Sequence, residues 1–216
     1  LVSSSAASDV YKRQAKNIRK TSIELGAQDI SWEKKGSMTG EVSAAMLKDF
    51  GVEYVIVGHS ERREKMGETD AMVNAKVLAC LANDLVPIIC VGETSTERNA
   101  GNTDHVVMRQ VRAALKNVVL KKQFVIIAYE PVWVIGTGQS VEVSEAEHVA
   151  KLILSIVHDL YYDSDREVNE IARVLYGGSV SSDNAKTFLT DNIQGVLVGG
   201  ASLDAKEFCN IVNNLS

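Results

Sequence analysis

A carboxylate that closes an apolar run is the first group in this chain that could do chemistry. Glu130 follows the run 124–129 and precedes Pro131. At the end of a buried strand such a side chain is desolvated, which strengthens it as a general base. Taken alone it reads equally as a helix-capping or ion-paired glutamate. The segment after it, residues 131–138, is apolar yet punctuated by Gly136 and Gly138. A loop carrying Trp133 and Ile135 must bury them, either as a lid closing over a ligand or as a static packed loop. His59 ends a second run, 53–58, and leads into Ser60-Glu61-Arg62-Arg63. It is an electrophile or acid–base group with Glu61 beside it, or part of a polar turn. Two glycine pairs, Gly177-Gly178 before Ser179 and Gly199-Gly200, follow two further runs. They are tight turns, or loops whose backbone N–H groups cradle phosphate.

The elements that must hold these groups follow a rhythm. Apolar, β-rich runs at 23–30, 53–58, 86–92, 124–129, 173–177 and 195–199 alternate with stretches of helical period. Ser43, Thr69 and Ser144 are expected to cap helices, and 102–116, 183–189 and 205–215 to be helical. Strands separated by helices pair in parallel, and their C-terminal ends share one face, where such folds build their sites. A (β/α)8 barrel uses ~250 residues, or ~31 per unit. Residues 23–216 make about six such units at that rate. The expected class is α/β: a partial (β/α)8 barrel of about six of eight units, parallel strands inside and helices outside, with residues 15–216 as a single incomplete domain. Residues 1–14, LVSSSAASDVYKRQ, lack the apolar core of a signal peptide and read as a non-native junction or flexible tail.

Composition narrows the classes. Among 216 residues, 45% are hydrophobic and 24% charged, which excludes wholesale disorder. The net charge of −5 gives no electrostatic footprint for nucleic acid. No apolar run approaches the ~18 residues of a membrane span. The three cysteines, Cys80, Cys90 and Cys209, cannot all pair and have no metal-ligand spacing, so a reduced, cytoplasmic compartment and no metal are expected. Cys90, inside an apolar run, reads as core. His105, His148 and His158 fall in helical stretches without a partner motif and read as surface or satisfied groups.

Taken together, Tyr54-Val55-Ile56-Val57-Gly58-His59-Ser60-Glu61-Arg62-Arg63, then 128–138 from Ala128 to Gly138, Tyr176-Gly177-Gly178-Ser179-Val180 and Val198-Gly199-Gly200-Ala201-Ser202-Leu203 resemble the triosephosphate isomerase family. The resemblance implies interconversion of dihydroxyacetone phosphate and D-glyceraldehyde 3-phosphate through an enediol(ate), in glycolysis and gluconeogenesis, without cofactor. It implies Glu130 as base, neutral His59 as electrophile, Glu61 as a further catalytic residue, and Gly136, Ser179, Gly199 and Gly200 as phosphate holders through N–H groups. It implies a homodimer in which Thr39, at the tip of Gly36-Ser37-Met38-Thr39-Gly40-Glu41, reaches the neighbouring subunit, with Glu41 and Arg62 as interface charges. The family opens with an apolar strand ending in Asn-x-Lys, and Asn17-Ile18-Arg19-Lys20 does not match it. The family's first two strands are therefore expected to be absent, Glu61 to be an inward carboxylate short of its cation, and the chain to fold poorly with negligible turnover. The alternatives are an inactive remnant that binds phosphate or a partner chain, and another phosphate-handling barrel.

Overall fold

The computed structural model describes residues 6–34 and 36–215. Six strands form at the expected apolar runs: β1 (Leu25–Ala27), β2 (Val52–Val57), β3 (Val86–Val91), β4 (Val125–Tyr129), β5 (Ala172–Tyr176) and β6 (Gly195–Val196). The helices among the described residues are α1 (Ala6–Ile18), α2 (Ala44–Asp49), α3 (Ser60–Met66), α4 (Asp70–Leu81), α5 (Ser95–Asn99), α6 (Thr103–Ala114), α7 (Val143–Leu160), α8 (Val168–Ile171) and α9 (Ala205–Leu215). None is long and apolar enough to cross a membrane. Of the stretch read as a tail, residues 1–5 lie outside the described residues, and 6–14 are the body of α1.

The chain divides into two compact units, Leu1–Ile89 with Ala114–Val125, and Cys90–Ala113 with Ile126–Ser216. In the first, β1, β2 and β3 are neighbours in that order and pair in parallel, with Ala27 opposite Val55 and Val57 opposite Ile89. In the second, the end of β3 is followed by β4, β5 and β6, and β5 pairs with β6 in parallel. β4 is buried along its whole length, as a strand covered on both faces must be. β1 and β6 are shorter than their apolar runs. Each stands at an end of the strand order and has one hydrogen-bonding neighbour among the described residues.

Helix starts follow local chemistry. Ser43 accepts from the Met46 N–H and Thr69 from the Met72 N–H, as expected of caps. Ser144 is not a cap: α7 begins at Val143, with Glu142 in the cap position and Ser144 inside the first turn. Its frame is set by the buried stripe Ala146, Val149, Ala150, Ile153 and Val157, which lies at helical spacing. Residues 183–189 form a single 3-10 turn, Ala185–Phe188. Asn184 competes with a longer helix by accepting from the Ser181 N–H and donating to the Ser179 carbonyl.

Candidate active site

In the first unit, the chain turns sharply where β2 gives way to α3. Gly58 has φ +71, and a Cβ there would lie 2.7 Å from Val73 Cγ2, so only glycine fits. Arg63 Nε donates to the Gly58 carbonyl at 2.7 Å, and Arg63 Nη1 pairs with Asp70 at 2.6 Å. His59 then caps α3. Its Nδ1 accepts from the Glu61 N–H at 3.2 Å, and its carbonyl accepts from the Arg62 and Arg63 N–H groups. A neutral ring whose Nδ1 is an acceptor carries its proton on Nε2.

Glu61 does not point inward. It is exposed in the first turn of α3 and pairs with Lys65 one turn on, at 3.5 Å. Helix geometry explains the correction: residues 61 and 65 share the outer face, and an i,i+4 pair forms there. Inside the same unit lies a charge cluster that spans distant segments. Arg62 reaches Glu68 at 2.5 Å and Asp29 at 2.8 Å. Lys76, buried in α4, pairs with Asp29 at 2.6 Å and with Glu68. Burial works against ionised Glu68, but Lys76 and Arg62 outweigh it and hold its carboxyl below the usual range. Asp29 stands at the root of the loop carrying Thr39 and Glu41. That loop is exposed, and its base is closed by the Ser31 N–H donating to the Val42 carbonyl at 3.0 Å.

In the second unit, Glu130 is 2% exposed. Its N–H donates to the Val91 carbonyl at 2.7 Å. Two glycines make room for it. A Cβ on Gly92 would overlap the Glu130 carbonyl oxygen at 1.8 Å, and one on Gly177 would stand 3.0 Å from Glu130 Cγ. The segment after Glu130 divides into a buried root and an exposed tip. The root is a 3-10 turn, Val132–Val134, with Val134 fully packed, while residues 136–140 face solvent.

Glu93, wholly buried, pins that root. Trp133 Nε1 donates to it at 2.8 Å and the Tyr129 hydroxyl at 3.2 Å, with Arg98 4.0 Å away. The Arg98 guanidinium also lies 4.0 Å over the Trp133 ring. Burial pushes the Glu93 carboxyl upward in spite of these donors and the cation. The Ser179 hydroxyl donates to the Val134 carbonyl at 2.8 Å, and the Tyr176 hydroxyl accepts from the Val141 N–H at 3.4 Å. Gly199 and Gly200 are exposed and open a 3-10 turn, Gly200–Leu203.

The family model for triosephosphate isomerase matches residues 4–215. The chain belongs to the triosephosphate isomerase family. It is 50% identical over 201 residues to the triosephosphate isomerase of Caldanaerobacter subterraneus subsp. tengcongensis, across 92% of this chain and 80% of the relative. To that of Moorella thermoacetica it is 49% identical over 195 residues, 89% of this chain and 77% of the relative. The crystal structure of triosephosphate isomerase from Bartonella henselae aligns with a TM-score of 0.84 at 38% identity, over 95% of this chain and 81% of that one. The six strands and their helices are thus a partial (β/α)8 barrel, and the family's reaction is the isomerisation of triose phosphates. Glu93, Arg98 and Gln110 escaped the sequence reading. Glu93 carried a usable signal, because like Glu130 it is a carboxylate just past a buried strand.

Proposed function

We propose that this chain interconverts dihydroxyacetone phosphate and D-glyceraldehyde 3-phosphate with Glu130 as the base. Glu130 takes a proton from the carbon beside the substrate carbonyl. His59 polarises that carbonyl from its Nε2–H and relays a proton between the two oxygens of the enediol(ate). Gly136, Ser179, Gly199 and Gly200 offer backbone N–H groups to the phosphate, and the exposed tip at 136–140 closes over it to keep water out. Thr39, Glu41 and Arg62 face a second copy in a homodimer, and the enzyme works in the cytoplasm. Glu61, exposed beside Lys65, contributes its backbone N–H to His59 and takes no proton from substrate.

The observation that carries this reading is the seating of Glu130: 2% exposed, at a strand end, in a gap left by Gly92 and Gly177. A desolvated carboxylate so held is suited to abstract a weakly acidic proton. Against the negligible turnover expected from the missing strands, the purified chain should turn over glyceraldehyde 3-phosphate in a coupled assay, and Glu130→Gln should lower kcat by about 10²-fold or more. Turnover unaffected by Glu130→Gln, or a folded chain with none at all, would overturn the assignment.

A further inference from the structure

We infer that Gln110 is a positioning residue for Glu130, acting through the backbone of Gly92; the catalytic part of this inference rests on Glu130 being the base. Gln110 projects from α6 and is 6% exposed. Its Oε1 accepts from the Gly92 N–H at 2.7 Å, and its Nε2 donates to the Gly92 carbonyl at 3.3 Å. One side-chain amide thus binds both polar groups of a single residue, as a neighbouring strand's backbone would. Gly92 is buried just past the end of β3, so without Gln110 both groups would lose these partners away from water.

Gly92 in turn bears on Glu130. The Gly92 Cα presses against the Glu130 peptide so closely that a methyl group there would sit 1.8 Å from its carbonyl oxygen. On either side of Gly92, the Val91 carbonyl accepts from the Glu130 N–H at 2.7 Å and the Glu93 carbonyl from the Val132 N–H at 3.1 Å. A shift of Gly92 therefore moves the backbone from which the Glu130 carboxylate springs. A general base displaced by about an ångström loses on the order of 10²-fold in rate. The hydrogen bonds of Gln110 go to Gly92 and not to Gly136, Ser179, Gly199 or Gly200, so its loss should fall on kcat.

The test is Gln110→Met, which keeps length and removes both bonds, with Gln110→Glu, which retains an acceptor for the Gly92 N–H. In Gln110→Met, kcat should fall at least tenfold with KM changed less than twofold, and Gln110→Glu should recover part of the loss. Independently of turnover, hydrogen exchange of the Glu130 amide should speed up at least tenfold in Gln110→Met while amides in β2 keep their protection. A folded Gln110→Met with kcat intact, or with the Glu130 amide still protected, overturns the inference. The exchange measurement separates it from the assignment of the base: turnover surviving in Glu130→Gln defeats that assignment and leaves the Gln110–Gly92–Glu130 linkage standing or falling on exchange alone.

Discussion

The backbone N–H of Glu61 donates to Nδ1 of His59 at 3.2 Å, so the first turn of α3 decides which ring nitrogen bears the proton. With Nδ1 engaged as an acceptor, the neutral ring is the Nε2–H tautomer, and Nε2 is the nitrogen able to donate to a carbonyl. Nitrogen-15 NMR of histidine-labelled protein near pH 7.5 should show a protonated Nε2 and an unprotonated Nδ1 for His59. The reverse pattern would contradict the hydrogen bond itself. His59→Gln, which lacks the ring, should lower kcat by about 10²–10⁴-fold.

Glu93 should give the fold a pH dependence of unusual sign for a carboxylate. Its native pKa is raised above the ordinary 4.5 because burial outweighs Trp133, Tyr129 and Arg98. The folded state therefore binds the proton more tightly than the unfolded chain. The stability this group contributes is fully present below about pH 4.5 and is lost as the pH climbs through the raised native value. Urea midpoints of the wild type and Glu93→Gln, compared across pH 4 to 8, isolate the effect. The wild type should lose ground against the variant as pH rises, and a constant difference would show that Glu93 titrates alike in both states.

The strands were readable because parallel strands packed between layers leave apolar runs: β3 and β4 match theirs within about a residue, and β2 does so despite exposed Glu53 near its start. His59 and Glu130 were readable because each stands just past such a run. The partners that hold them were not. Lys76 looks like any lysine on a helix, yet it is buried against Asp29, 47 positions away in sequence. Gln110 and Gly92, 18 positions apart, carry no local pattern that links them. Those pairings exist only once strands and helices have packed, and so lie beyond periodicity and spacing. Glu61 is exposed although the family resemblance implies an inward carboxylate, because position 61 falls on the outer face of α3 beside Lys65.

The buried cluster in the first unit should behave in the opposite sense to Glu93. Lys76 is the innermost cation, shared by Asp29 and Glu68. Lys76→Met leaves Glu68, with its side chain 1% exposed, facing Arg62 alone, and breaking a buried pair this way costs about 3–5 kcal/mol. Because Lys76 and Arg62 hold the Glu68 carboxyl below 4.5, its stabilising contribution is present above about that pH and disappears as pH falls through the lowered native value. Urea unfolding at pH 7 should therefore show a large deficit for Lys76→Met, narrowing as the pH is taken well below 4.5. Equal deficits throughout would mean that Glu68 does not owe its ionisation to Lys76.

Gly92→Ala should be among the most damaging single methyl additions in the second unit. The new Cβ would meet the Glu130 carbonyl oxygen at 1.8 Å and its carbonyl carbon at 2.6 Å. These are backbone atoms, so no rotamer change relieves the overlap and β3 and β4 must part at their ends. Gln110 also ties down Gly92 through both of its polar groups, which resists a shift of the glycine. The variant should lose at least 1–3 kcal/mol by the general scale of overpacking. Whatever folds should show kcat reduced at least tenfold, because the displaced peptide carries the proposed base. Gly51→Ala is a useful contrast. Gly51 has φ +76 but nothing within 4 Å of its Cβ position, so its cost is backbone strain alone and its kcat should stay near wild type. Comparable kcat losses in the two variants would show that the close approach to Glu130 is not what limits activity.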